Sequence, residues 1–184
     1  LWAMMEADLD ELDHLIDTSL TYARFEREAP EPHFSSVRFA TWLNDEVDAV
    51  RLLGRNLAIA VDTDKLPENL HVDLDRKAMP YALRNLLRNA FKYASKQVVV
   101  SAELDQDRIL IHVDDDGIGI PPEDREHVFS AFTRLDRSRD RATGGYGLGL
   151  AITRRVLELH GGTATADAAP LGGARFTLSW KAQQ

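Results

Sequence analysis

The stretch from Ala142 to Gly161, ATGGYGLGLAITRRVLELHG, constrains this chain more than any other. Four glycines, Gly144, Gly145, Gly147 and Gly149, fall within six residues. The apolar series Leu148, Ala151, Ile152, Val156 and Leu159 follows at helical spacing, and Gly161 and Gly162 stop it. Such a loop opens a helix with unpaired backbone N–H groups and a positive dipole end, which suits a phosphate. A glycine hinge or a tight helix start would read the same way, so the rest of the chain has to decide.

The chain has 184 residues, enough for one full domain and an appendage. Its net charge of -8 and pI of about 5.2 argue against a nucleic-acid partner held by bulk charge. Cysteine is absent, which excludes disulfides and thiolate metal sites and permits a reducing compartment. No apolar run approaches the ~18 residues that would span a bilayer, and no signal peptide is visible. The first residue is Leu1 rather than Met, so a fragment of something longer is expected.

Leu1 to Glu28 reads as one long helix. Met5, Leu9, Leu12, Ile16, Ser19 and Ala23 alternate steps of four and three, and Leu1, Leu15, Leu20 and Tyr22 widen the stripe. Acidic residues fill most of the other face. So broad a stripe needs a partner, either the rest of this chain or another helix, including one from a second chain. Ala29 to Pro32 breaks the helix and serves as a linker. A short strand is expected at His33 to Phe39, then a helix from Trp42 to about Gly54 capped by Thr41. Strands follow at Leu57 to Val61 and Leu70 to Leu74, and a helix from Asp75 to Ala94 with Asp75 as cap. Gln97 to Leu104 and Arg108 to Val113 alternate as a hairpin. Pro121 to Val128 reads as a short helix, and Phe129 to Tyr146 as a polar, arginine-rich loop, long enough to suggest a functional lid. Thr163 to Ala168 and Ala174 to Trp180 form a last hairpin. Mixed elements with antiparallel neighbours favour an α+β fold, a two-layer sandwich with helices on one face of a sheet.

Asn85, Asn89 and Lys92 stack on one face of the Asp75–Ala94 helix, away from the Leu83–Leu87–Ala90 stripe. Two amides and a lysine suit a hydrated magnesium and a phosphate; a solvated polar face has the same composition. The strand Ile109 to Val113 runs into DDDGIGIPP, so Asp114, Asp115 and Asp116 stand at the rim of a pocket or in an acidic turn. A buried carboxylate there would accept a hydrogen bond from an exocyclic amine such as that of adenine. Calcium fits poorly, because the oxygen ligands do not follow EF-hand spacing. Arg134, Arg137, Arg139 and Arg141 suit a phosphate clamp or a merely solvated loop, with Phe129 and Phe132 as its anchors or as ordinary core. The six histidines show no metal-ligand spacing, and surface or edge positions are expected for all. No serine has a GxSxG context.

In this order the pieces resemble the catalytic, ATP-binding domain of sensor histidine kinases, within the superfamily shared with gyrase, Hsp90 and MutL. NLLRNAFKYA resembles the N box, DDDGIGIP the first glycine box, VFSAFTRLD the F box, GGYGLGLAI the second glycine box and GGARFTL the third. Together they cover about Asp75 to Trp180. Leu1 to Glu28 resembles the second helix of the dimerisation and histidine-phosphotransfer hairpin. The resemblance thus implies residues 1–29 as that helix, 30–32 as linker and 33–184 as catalytic domain.

The resemblance also implies roles. Asn89 would coordinate the magnesium of Mg-ATP, with Asn85 in support. Lys92 would reach the phosphates and Tyr93 would pack beside the adenine. Asp115 is the aspartate of the D-x-G-x-G pattern with Gly117 and Gly119, so it would accept the adenine amine. Arg139 and Arg141 would meet the phosphates. Gly145, Gly147 and Gly149, with Tyr146 and Leu148 between them, would let the backbone approach. The lid from Arg134 to Gly145 would be mobile without nucleotide. The γ-phosphoryl group would pass to a histidine and then to a response regulator, in a homodimer formed through the N-terminal helix. The domain would be cytoplasmic, in a sensor anchored at the inner membrane.

One departure stands out. The family's acceptor histidine is followed by Glu or Asp and soon by proline, and none of the six histidines here is. The acceptor is therefore expected upstream, about 40 to 60 residues back on the length of a helical hairpin. Two other readings remain. An ATPase or serine kinase of the same superfamily would lack the long N-terminal helix. A non-catalytic scaffold would not need Asn89, Asp115 and the glycine boxes.

Overall fold

The computed structural model describes residues 2–28, 31–133 and 147–182, with side chains 2–11, 14 and 28 left aside. Helix α1 spans Trp2–Glu28. A two-stranded antiparallel sheet pairs β1 (Phe34–Arg38) with β3 (His71–Asp75). The main sheet has five strands: β2 (Ala58–Lys65), β4 (Gln97–Asp105), β5 (Arg108–Asp115), β6 (Thr163–Ala168) and β7 (Ala174–Lys181). Their order is β2-β4-β5-β7-β6, and every neighbouring pair is antiparallel except β2 with β4.

Period-two alternation creates the core. The inward residues of β4 (Val98, Val100, Ala102), β5 (Ile109, Ile111, Val113) and β7 (Phe176, Leu178, Trp180) are all buried. Three helices cover them: α2 (Phe39–Val50), α3 (Ala78–Tyr93) and α4 (Gly149–Leu159). Leu83, Leu86, Leu87 and Ala90 of α3, with Ile152 and Val156 of α4, fill the space between the layers. Each such aliphatic side chain contributes about 1.5–3 kcal/mol by leaving water. The other face of the sheet is polar: Lys65, Glu103, His112, Arg108, Thr177 and Ser179 exchange hydrogen bonds and ion pairs across it. The two-layer α+β expectation holds.

Several boundaries differ from the sequence reading. Helix α2 starts at Phe39, with Arg38 rather than Thr41 at the N-cap position. The Phe39 N–H donates to Leu70 O at 2.9 Å while its ring is fully buried, so tertiary contacts set the start. Its last turn tightens into a separate 3-10 segment, Arg51–Gly54. Helix α3 starts at Ala78, three residues after the proposed cap. Asp75 does satisfy its entrance: its carboxylate accepts the N–H groups of Lys77 and Ala78 at 2.8 and 2.9 Å. Pro121 to Val128 is not one helix but two 3-10 turns, Pro122–Asp124 and His127–Phe129.

Helix α1 lies along the domain, against α4. The Tyr81 hydroxyl donates to Thr18 Oγ1 at 3.3 Å, and the Tyr22 ring meets Phe132 edge-on at 6.2 Å. Leu12, Ile16 and Leu20 on its other side stay 50%, 52% and 65% exposed.

Candidate nucleotide site

Helix α3, the end of β5 and the start of α4 meet at one end of the sheet, and they carry most of the residues singled out above. Helix α3 presents Asn85, Asn89, Lys92 and Tyr93, all half-buried. The opposite stripe of that helix is committed to the core, which leaves the amides on the open side. The Asn85 amide donates to Gly149 O at 3.3 Å. The buried Thr153 hydroxyl also bonds Gly149 O, at 2.9 Å, and lies 3.3 Å from Ala82 O. Together they pin the first turn of α4 to α3. Lys92 Nζ sits 5.2 Å from the centre of the Tyr93 ring.

Asp114, Asp115 and Asp116 take three directions. Asp114 turns to the polar face of the sheet, where Arg175 grips it with two hydrogen bonds of 2.7 Å. Asp115 turns inward and is 2% exposed. Its Oδ1 accepts the N–H groups of Gly117 at 2.8 Å and Ala174 at 3.2 Å. Burial pushes its carboxyl above the ordinary range, partly offset by those two bonds. Asp116 reaches across to the turn after α3 and accepts N–H groups there. Hydrogen bonds, led by that of Lys96, hold its carboxyl below the ordinary range.

The glycines allow close approach. A Cβ on Gly117 would overlap the Tyr93 carbonyl oxygen. One on Gly173, from the third glycine-rich stretch, would overlap both Oδ1 and the carbonyl oxygen of Asp115. Gly147 has φ +71, and a Cβ there would stand 2.6 Å from Thr133 O. Gly119 packs loosely on Gly173, and Gly149 has only ordinary contact with Asn85. Leu148 is buried at the N-cap position of α4, and its carbonyl accepts the Ile152 N–H at 3.0 Å.

Sequence reasoning missed Asp116, Gly173 and Thr153 as parts of this assembly. The third glycine box pointed at Gly173 only as a member of a motif. Arg134, Arg137, Arg139, Arg141, Gly145 and Tyr146 lie outside the described residues, as does the expectation of a mobile lid. Phe129 is buried against Phe176, but Phe132 is 71% exposed, lies outside the core and meets Tyr22 of α1 edge-on. The expected surface or edge position fits the exposed His33, His71 and His127 but fails for His160. His160 is buried, its Nδ1 against Val156 O at 2.8 Å and its Nε2 accepting the Asp75 N–H at 3.1 Å. Among the described residues no group of three His, Cys, Asp or Glu side chains forms a metal site.

Residues 74–184 match the family model described as histidine kinase-, DNA gyrase B-, and HSP90-like ATPase. The chain belongs to that family. Among curated relatives, sensor protein RstB of Escherichia coli K12 is 41% identical over 176 residues, covering 96% of this chain and 40% of RstB. The sensor-like histidine kinase SenX3 of Mycobacterium tuberculosis H37Rv is 40% identical over 150 residues, covering 80% of this chain and 36% of SenX3. The chain therefore spans about two fifths of the length of these two relatives. Among solved structures, full-length ShkA in complex with AMPPNP superposes with a TM-score of 0.85 at 24% identity, over 99% of this chain and 38% of that one, a likeness of fold. The mycobacterial sensor histidine kinase MprB superposes with a TM-score of 0.68 at 26% identity, over 82% of this chain and 99% of that one. This is an ATP-binding catalytic domain of the sensor histidine kinase kind. No described helix is long and apolar enough to cross a membrane.

Proposed function

We propose that the chain binds Mg-ATP between α3, the Asp115 turn and the start of α4, and that the whole protein transfers the γ-phosphoryl group to a histidine outside this chain and thence to a response regulator aspartate. The observation that carries this reading is Asp115: a nearly sealed carboxylate whose Oδ1 is held by two backbone N–H groups. Its other oxygen would accept the exocyclic amine of adenine, and a buried acceptor discriminates strongly against a base that cannot donate there. Tyr93 would flank the base beside Gly117 and Gly119.

Lys92 would reach the phosphates, and the first turn of α4, from Gly147 through Leu148 to Gly149, would offer N–H groups to them. Arg139 and Arg141, with Gly145 and Tyr146, would close over the triphosphate. Asn89 suits magnesium: it offers an amide group on the open face of α3, and Mg²⁺ takes hard oxygen ligands while keeping several waters and phosphate oxygens. Asn85, tied to Gly149, would hold that face in register with α4. The metal, when bound, supplies charge neutralisation on the transferring phosphoryl group. What the chain's residues supply is positioning and exclusion of water.

In the same reading, residues 1–29 are the second helix of a dimerisation hairpin, 30–32 the linker and 33–184 the catalytic domain. The whole protein is a homodimer anchored in a membrane, with this domain in the cytoplasm. Titration with Mg-ATP tests the site. Asp115→Asn and Asn89→Ala should each weaken binding about tenfold or more, the equivalent of one charge-assisted contact. Unchanged affinity in both variants would sink the assignment.

A further inference from the structure

The most heavily used carboxylate at this end of the sheet is one that no nucleotide contact requires. Asp116 Oδ1 accepts the N–H groups of Ser95, Lys96 and Gln97 at 2.8, 3.0 and 3.2 Å, and its Oδ2 lies 3.1 Å from the Lys96 N–H. Ser95 and Lys96 form the turn that leaves α3, and Gln97 opens β4. The helix itself closes at Ala94, whose N–H donates to Ala90 O at 2.8 Å before the backbone turns extended. The β4–β5 ladder ends with Val98 opposite Asp115. The Asp116 side chain thus continues the pairing beyond the last backbone pair. The same turn holds the start of β2, since the Ala58 N–H donates to Lys96 O at 2.8 Å.

We propose that Asp116 is a positioning residue: it clasps the end of α3 to the Asp115–Gly117 turn and so sets Lys92 at its working distance from the base acceptor. The inference rests on the nucleotide site proposed above. Three consecutive residues then link the two halves of that site. Asp115 offers the base acceptor, Asp116 holds the turn after α3, and Gly117 packs on the Tyr93 carbonyl. Lys92 stands one residue before Tyr93, on the helical turn that would fray first without the clasp. Asn85 and Asn89 depend on it less, because Leu83, Leu86, Leu87 and Ala90 seat the middle of α3 in the core. A small displacement is enough to matter, since a charged group meets a phosphate over a narrow range of distance.

A double-mutant cycle on this chain separates positioning from mere stability. Mg-ATP dissociation constants are measured for Lys92→Ala in the wild-type, Asp116→Ala and Asp116→Asn backgrounds, below the thermal midpoint of each. Lys92→Ala should cost about tenfold in the wild type but less than about twofold once Asp116 is Ala, because the lysine is already misplaced. Asp116→Asn keeps an oxygen for the three N–H groups and should restore the full cost. Equal Lys92→Ala factors in the wild-type and Asp116→Ala backgrounds would overturn the proposal and leave Asp116 a turn cap. Lys92→Ala without effect in any background would overturn the phosphate role of Lys92 first, and the proposal with it. Should Asp116→Ala not fold, Asp116→Ser, whose hydroxyl is one bond too short to reach the three N–H groups together, takes its place in the same cycle, with the same two outcomes.

Discussion

At the residue scale, three identical side chains in a row have three environments. Strand alternation sends Asp114 to the polar face and Asp115 to the site, and the end of β5 frees Asp116 to turn toward α3. Asp115 keeps its environment only because its neighbours have no side chains. Gly173→Ala would drive a methyl group into the Asp115 carboxylate and against two rigid backbone atoms, Asp115 O and, at 2.5 Å, the Gly117 nitrogen. Such overpacking should cost about 1–3 kcal/mol of stability, read as a lower urea midpoint. Mg-ATP binding should fall with it, because the acceptor itself is displaced. A Gly173→Ala protein with wild-type affinity would mean that Asp115 tolerates movement.

At the element scale, α1 has two apolar faces with different fates. Thr18 and Phe25 are buried and Leu15 and Tyr22 half-buried, at spacings that make one stripe along the domain. Leu12, Ile16 and Leu20 form a second stripe in water. Each would contribute about 1.5–3 kcal/mol if covered, more than a surface helix ordinarily leaves unused. The chain should therefore self-associate through this stripe. Sedimentation velocity over a range of concentrations should show a dimer that Ile16→Glu with Leu20→Glu converts to monomer, with Mg-ATP affinity unchanged. A wild-type chain monomeric at all concentrations would remove the stripe from consideration as an interface.

At the scale of the whole molecule, His160 ties the end of α4 to the strand that enters α3. Both ring nitrogens are used in the neutral form, and the Phe34 ring stands edge-on at 5.1 Å. Burial holds its pKa below the ordinary 6.5, against the raising pull of Val156 O and of Asp75. His112 is lowered too, chiefly by burial and by Arg175 beside it. Between the folded and ordinary values the unfolded chain binds a proton that the folded chain refuses. Stability is therefore full above the ordinary value and falls as pH drops below it, until both states are protonated. The carboxyls of Asp75, Asp116 and Glu103 are lowered and lose their contribution only in more acid solution, while that of Asp115 is raised and works in the opposite sense. The urea midpoint should thus decline from about pH 7.5 to about pH 5.5, and His160→Gln, which cannot titrate, should flatten the decline. An identical slope in that variant would assign the effect elsewhere.

Much of this was legible without coordinates. Alternation in QVVVSAEL and RILIHV specified the hairpin at the centre of the sheet, because a period of two has one buried face whatever surrounds it. The 3.6 period of ALRNLLRNA likewise separated the core stripe of α3 from the face bearing Asn85, Asn89 and Lys92. Glycine-rich spacing marked where backbone must come close. Three things depended on tertiary structure. The start of α2 is set by the bond of Phe39 to Leu70, two residues adjacent in space but distant in sequence. The burial of His160 depends on Asp75 and Val156 arriving together, and a lone histidine in a sequence carries no sign of that. The D-x-G-x-G pattern singled out Asp115 among three adjacent aspartates, but that Asp114 turns to Arg175 and Asp116 clasps α3 follows from the register of β5 and the point where its ladder ends. Local periodicity is a property of the chain alone; contact between residues dozens of positions apart is a property only of the fold that joins them.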